Sequence, residues 1–181
     1  LVKGKDTDEL TVGEEIRMIY SGDFPLTNNL EEMYNEADVI VIGSYESLDS
    51  KWNMARDPNN IEKEDLNNYT EGHLYNFKVE EVLYGQADAD IKINLRYEEV
   101  VEIEDNKKKK HKITNKDQLY MEPKLGEKYL VFLKEDSFGN YFGAIEPFQM
   151  LIHPDNTVEL QTNLEEEHRM IETVIEIENS E

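Results

Sequence analysis

Residues 37–45 run Ala37-Asp38-Val39-Ile40-Val41-Ile42-Gly43-Ser44-Tyr45. The apolar run from Val39 to Ile42 is too short for a helix. Its β-branched side chains need cover on both faces, which marks a central strand. A polar face resumes at Ser44 and Glu46. Just upstream, Leu30, Met33, Tyr34 and Ala37 recur at i, i+3, i+4 and i+7, which predicts one amphipathic helix turned toward that strand. Asn28 can cap it, with Glu31 three residues on.

Downstream the period changes to two. Tyr75, Phe77 and Val79 alternate with Asn76, Lys78 and Glu80, and Glu81-Val82-Leu83 breaks the alternation as a bulge does. Ile91, Ile93, Leu95 and Tyr97 alternate again after Gly85. Tyr129 to Leu133 is a second continuous apolar strand. Asp136 to Asn140 is a turn supplied with Gly139, and short strands follow at Tyr141–Ile145, Phe148–Ile152 and Val158–Leu160. Thr162 and Glu165 have capping-box spacing. Met170, Ile171, Val174 and Ile177 then predict an amphipathic C-terminal helix whose face closes one side of the domain. Residues 1–26 read as an N-terminal arm with a short helical or strand piece near Ile16–Tyr20. Residues 27–181 read as one domain whose strands wrap a single apolar interior. Two segments stand apart: a long polar loop at 49–72, and a charged hairpin tip at 98–112.

The order of Ala37–Gly43, Tyr75–Gly85, Ile91–Ile93 and Leu125–Leu133 resembles the OB-like barrel module of tissue inhibitors of metalloproteases and netrin C-terminal domains. It is most similar to cysteine-free versions in bacterial exported proteins and lipoproteins. The resemblance spans roughly Leu30 to Ile152. It implies a five-stranded Greek-key barrel with helical decorations, and with the strand and helix signals above the expected fold is mainly β, a five- to seven-stranded antiparallel OB-like Greek-key barrel flanked by an N-terminal and a C-terminal helix. Function transfers poorly with such a fold. The animal inhibitors chelate zinc through an N-terminal cysteine, and this chain has no cysteine, so that mechanism is not carried over.

Composition narrows the function classes. Acidic residues number 41 against 19 basic ones, for a formal net charge of -22. That field opposes nucleic acid and anionic membrane surfaces and suits a cationic partner. The Lys107–Lys110 block is screened by five neighbouring acids. Disulfides, thiolate zinc sites and cysteine nucleophiles are excluded. The chain opens on Leu1 and has no run near the about 18 apolar residues of a membrane span. A removed N-terminal export signal is the expectation, leaving the chain secreted or lipid-anchored at the cell envelope, with such an anchor the only membrane link.

Catalytic patterns are sparse. Ser44 lies on a strand rather than in a Gly-x-Ser-x-Gly elbow. His73, His111, His153 and His168 have no metal-pair spacing, so no metal site is expected. Asp88 with Asp90, or Asp136 with Asn140, offer at most weak calcium binding, because neither sits in a twelve-residue calcium loop. Tyr69, Tyr75 and Tyr97 suggest a base-stacking face, but the basic groove that such a face needs is missing. The remaining candidates cluster in the 49–72 loop. Trp52, Met54 and Arg56 are residue types that carry interface energy, and Tyr69 stands at the loop's end. Trp52 folding back as a plug is the structural alternative. The expectation is therefore an extracytoplasmic, non-catalytic binding module for an envelope ligand or protein. The alternatives are a hydrolase of an envelope polymer using two carboxylates, which requires one acid in a cleft with a raised pKa, and a calcium-dependent structural module.

Overall fold

A computed structural model describes residues 14–21, 30–117, 119–161 and 170–177. Among the described residues the fold is mainly β with one short helix. The elements are β1 (Glu14–Ser21), α1 (Leu30–Glu36), β2 (Val39–Asn53), β3 (Arg56–Asp57), β4 (Asn60–Glu64), β5 (Tyr69–Tyr84), β6 (Asp90–Glu104), β7 (Lys110–Lys116), β8 (Lys128–Glu135), β9 (Tyr141–Gly143), β10 (Gln149–Ile152), β11 (Thr157–Leu160) and β12 (Met170–Ile177). A ten-stranded sheet has the order β12-β1-β11-β10-β8-β2-β5-β6-β7, and β9 pairs with both β6 and β8. Strands β3 and β4 form a separate hairpin. No helix among the described residues is long and apolar enough to cross a membrane.

The apolar runs of β2 and β8 are buried on both faces. Ile40 and Ile42 of β2 join Leu130 and Phe132 of β8 in one layer, closed by Met33, Tyr34 and Ala37 from α1 and its C-terminal end. Val39, Val41 and Tyr45 join Tyr129, Val131 and Leu133 in a second layer with Tyr75, Phe77, Ile91 and Ile93. The expected single interior is thus two apolar layers sharing the same strands. Successive side chains of a strand point to opposite faces, so a run without polar residues requires this arrangement.

The long β2–β5 pair shifts register at four places, one of them between Ile42 and Gly43. There the backbones come very close: a Cβ on Gly43 would collide with the Lys78 carbonyl and the Phe77 ring. A residue without a side chain is required at that bulge.

Two expectations change. Residues 49–72 are paired backbone rather than a long loop. β2 continues to Asn53, β5 begins at Tyr69, and the β3–β4 hairpin spans the gap. Asn53 organises the root. Its amide donates to the carbonyls of Asp65 and Asn68, and its Oδ1 accepts from the N–H groups of Ala55 and Thr70. Most of this stretch is exposed, and β4 is exposed throughout, so no apolar alternation marks it as strand. The C-terminal helix is also corrected. Met170–Ile177 is β12, antiparallel to β1, which runs parallel to β11. Ile171, Thr173, Ile175 and Ile177 also fit a period of two, and β-branched residues favour the strand. Of the N-terminal arm, 14–21 is strand. The Asn28 cap, the Thr162–Glu165 pair and His168 lie outside the described residues.

Candidate functional site

A cavity of about 370 Å³ opens beside the far end of β2. β2 and the residue pair after it contribute Trp52 and Met54, β6 contributes Asn94, Leu95 and Arg96, and the segment after β7 contributes Asp117, Leu119, Tyr120 and Met121. The β8–β9 turn adds Asp136 and Phe138. Phe142 and Gly143 of β9, and Glu146, Phe148 and Gln149 beyond it, complete the wall. Segments far apart in sequence meet because β9 lies between β8 and β6.

Trp52 is fixed rather than loose. Its indole N–H donates to Asn94 Oδ1 at 2.9 Å, and the Asn94 amide reaches Met54 Sδ at 3.4 Å. Gly72 makes room for this group: a Cβ there would lie 2.7 Å from Trp52 Nε1 and 2.8 Å from Met54 Cγ. Phe138 meets Trp52 edge to face, with centroids 5.8 Å apart. The Asp136 carboxylate shapes the turn that carries Phe138, accepting the N–H groups of Phe138 and Asn140 at 2.8 Å. Gly139 supplies the left-handed residue at φ 81°. Phe138 and Phe142 remain 42% and 39% exposed, an aromatic rim on a strongly acidic chain.

The polar groups divide into satisfied and free ones. Asp117 accepts from Arg96 and from the Leu119 N–H, each at 2.9 Å. Arg96 also pairs with Glu99 at 2.9 Å. Gln149 accepts the buried Tyr45 hydroxyl at 2.7 Å, and burial holds that hydroxyl protonated, well above its ordinary range. Glu146 differs. Burial, and then the Asp117 charge, push its carboxyl from an ordinary 4.5 to about 7, and among the described residues no hydrogen bond offsets them.

A second cluster adjoins the cavity through Tyr120. Its hydroxyl meets His73 Nδ1 and the Tyr75 hydroxyl, each at 3.1 Å, and His73 Nε2 meets Glu71 at 2.7 Å. That contact holds the Glu71 carboxyl below its ordinary value. Tyr97 stacks on His73 with centroids 4.2 Å apart. His73 is thus a buried, partnered histidine.

Of the four candidate residues, Trp52 and Met54 line the cavity. Arg56 does not line it, yet its guanidinium lies 5.2 Å from the Trp52 ring and 5.7 Å from Phe138. Tyr69 sits apart on β5, opposite Val100, with its hydroxyl on Glu71. Tyr75 is buried and Tyr97 stacks on His73. Ser44 is mid-strand opposite Lys78. Asn94, Phe138, Phe142 and Glu146 were not singled out by sequence. The Asp136–Asn140 turn was legible, but nothing in its spacing said what Phe138 would face. Among the described residues no group of three or more histidine or acidic side chains is placed to hold a metal ion.

Comparisons of this chain with known protein families, curated proteins and solved structures found no match.

Proposed function

We propose that this chain is a non-catalytic binding module that seats a ligand, or a partner's side chain, in the cavity beside Trp52. One observation carries the reading: a concave site of about 370 Å³ whose aromatic and aliphatic wall holds a few convergent polar groups. That is the composition of small-ligand pockets. The sole tryptophan lies in it, so ligand entry should change tryptophan emission saturably in a screen of small aromatic and apolar compounds. Emission indifferent to every compound, with no stabilisation on melting, would overturn the reading.

The proposal includes an architecture. We take β8, β2, β5, β6 and β9 as an OB-like barrel of the metalloprotease-inhibitor and netrin type, with α1 packed outside. The two pairings of β9, with β6 and with β8, support this. Such a module would serve an exported protein or lipoprotein of the bacterial envelope. Fractionation of the native product should recover it outside the cytoplasm, and a cytoplasmic product would contradict that placement.

Glu146 favours one further reading, hydrolysis of an envelope polymer by a carboxylate pair. A carboxyl that titrates at about 7 inside a cleft is what a general acid needs, and Asp117 lines the same cavity. Product release from peptidoglycan fragments, abolished by Glu146→Gln, would favour the hydrolase. No turnover, with binding retained, would favour the module.

A further inference from the structure

The composition of the cavity specifies more than a generic ligand. Among the described residues, three acidic side chains line it, Asp117, Asp136 and Glu146, against one cation, Arg96. Arg96 is already committed to Asp117 and Glu99. Asp117 and Asp136 are occupied as well, one by Arg96 and a backbone N–H, the other by two backbone N–H groups of its turn. Among the described residues, Glu146 is the lining carboxyl whose charge no partner compensates. The same wall includes the Trp52, Phe138 and Phe142 rings, and the faces of such rings attract cations. The chain already uses two of them in this way, since the Arg56 guanidinium sits over Trp52 and Phe138.

We infer that the cavity binds an organic cation, an ammonium group carried on an apolar body, with the body against the Phe138 and Phe142 rings and the charge toward Glu146. This rests on the binding-module reading above and names its ligand class. Among the described residues that line the cavity, a carboxylate or phosphate ligand would meet three acidic groups and a single cation, Arg96, already paired. A neutral ligand would leave Glu146 to hold its proton up to about pH 7 and would gain no charge attraction from it. The chain's net charge of -22 adds a long-range field that concentrates cations at its surface.

A dependence on pH follows. The groups facing Glu146 are Asp117, with Arg96 behind it, and the hydroxyl of Tyr45; Tyr120 and Asp136 lie elsewhere on the wall. Burial keeps both tyrosines protonated well above neutrality. Glu146 is the group among them that changes charge near pH 7. A bound cation favours its ionised form, so cation affinity rises as pH rises through that range, and binding there releases a proton.

The test uses benzyltrimethylammonium, benzyl alcohol and phenylacetate as probes of the whole chain, read by Trp52 emission and by calorimetry. The cation should bind at least roughly tenfold more tightly than the alcohol, with phenylacetate weakest. Its affinity should rise roughly tenfold from pH 5.5 to pH 8, the effect of about one pKa unit of coupling. Glu146→Gln should abolish that rise, and Phe142→Ala should weaken the cation at every pH while the fold is retained. Benzyl alcohol binding as tightly as the cation, or a pH rise that survives Glu146→Gln, overturns the inference and leaves a binding cavity standing. No saturable binding of any probe overturns the cavity reading and the inference with it.

Discussion

Replacing Glu146 with glutamine should stabilise the fold above neutral pH and do little in acid. In the folded chain the carboxyl titrates at about 7, against an ordinary 4.5 when unfolded. Between those values the folded state holds a proton that the unfolded state has lost. Stability therefore falls as pH rises through this window, and the loss is complete above it. Those two pKa values make ionisation from pH 5 to pH 8 cost the fold about 2–3 kcal/mol. Glu146 is only half-buried, and solvent screening reduces this to about 2 kcal/mol. Glutamine is of nearly the same shape and never carries the charge. Urea denaturation of parent and variant at a series of pH values measures the difference, and other titrating groups cancel in it. The gap should open by about 2 kcal/mol from pH 5 to pH 8, or about 4–8 °C in melting midpoint for a chain of this size. Parallel curves would show that Glu146 titrates normally and would remove the electrostatic account of the cavity.

Other substitutions test separate parts of the structure. Ile40→Ala empties a fully buried position between α1 and β8 and should cost about 2–5 kcal/mol in denaturant melts. Tyr45→Phe strands the buried Gln149 acceptor and should cost about 1–3 kcal/mol, measured the same way. Asn53→Ala removes four hydrogen bonds at the root of the β3–β4 hairpin. Amide exchange should then accelerate at 55–68 while the β8 amides stay protected. Gly72→Ala drives a methyl against Trp52 and Met54, so the emission of Trp52 should shift and probe binding should fall. Calcium added in place of chelator should leave the melting midpoint unmoved, since a bound ion would raise it.

Much of the sheet was legible because its chemistry is strong. Val39–Ile42 and Tyr129–Leu133 read as doubly covered strands and lie between two apolar layers. Tyr75, Phe77, Ile91 and Ile93 read as one face by alternation and share one layer. Legibility failed where burial stops. From Glu46 to Lys51 both faces of β2 meet solvent, and a strand held by backbone pairing alone leaves no pattern. Met170–Ile177 carries two periods at once, and the helical one misleads because pairing with β1 is invisible in the sequence. The site was half legible. Trp52 and Met54 stood out by residue type, whereas Glu146 is one carboxylate among 41 acidic residues. Only the placement of β9 between β6 and β8 brings Glu146, Phe138 and Phe142 to the tryptophan.

A crystal structure of the chain grown with benzyltrimethylammonium tests the central claim most directly. The account places the probe's ring against Phe138 and Phe142 and its ammonium toward Glu146, with the Trp52–Asn94 hydrogen bond intact. An unfilled cavity, with Phe138 and Phe142 collapsed onto Trp52 and Glu146 turned outward to water, would contradict it.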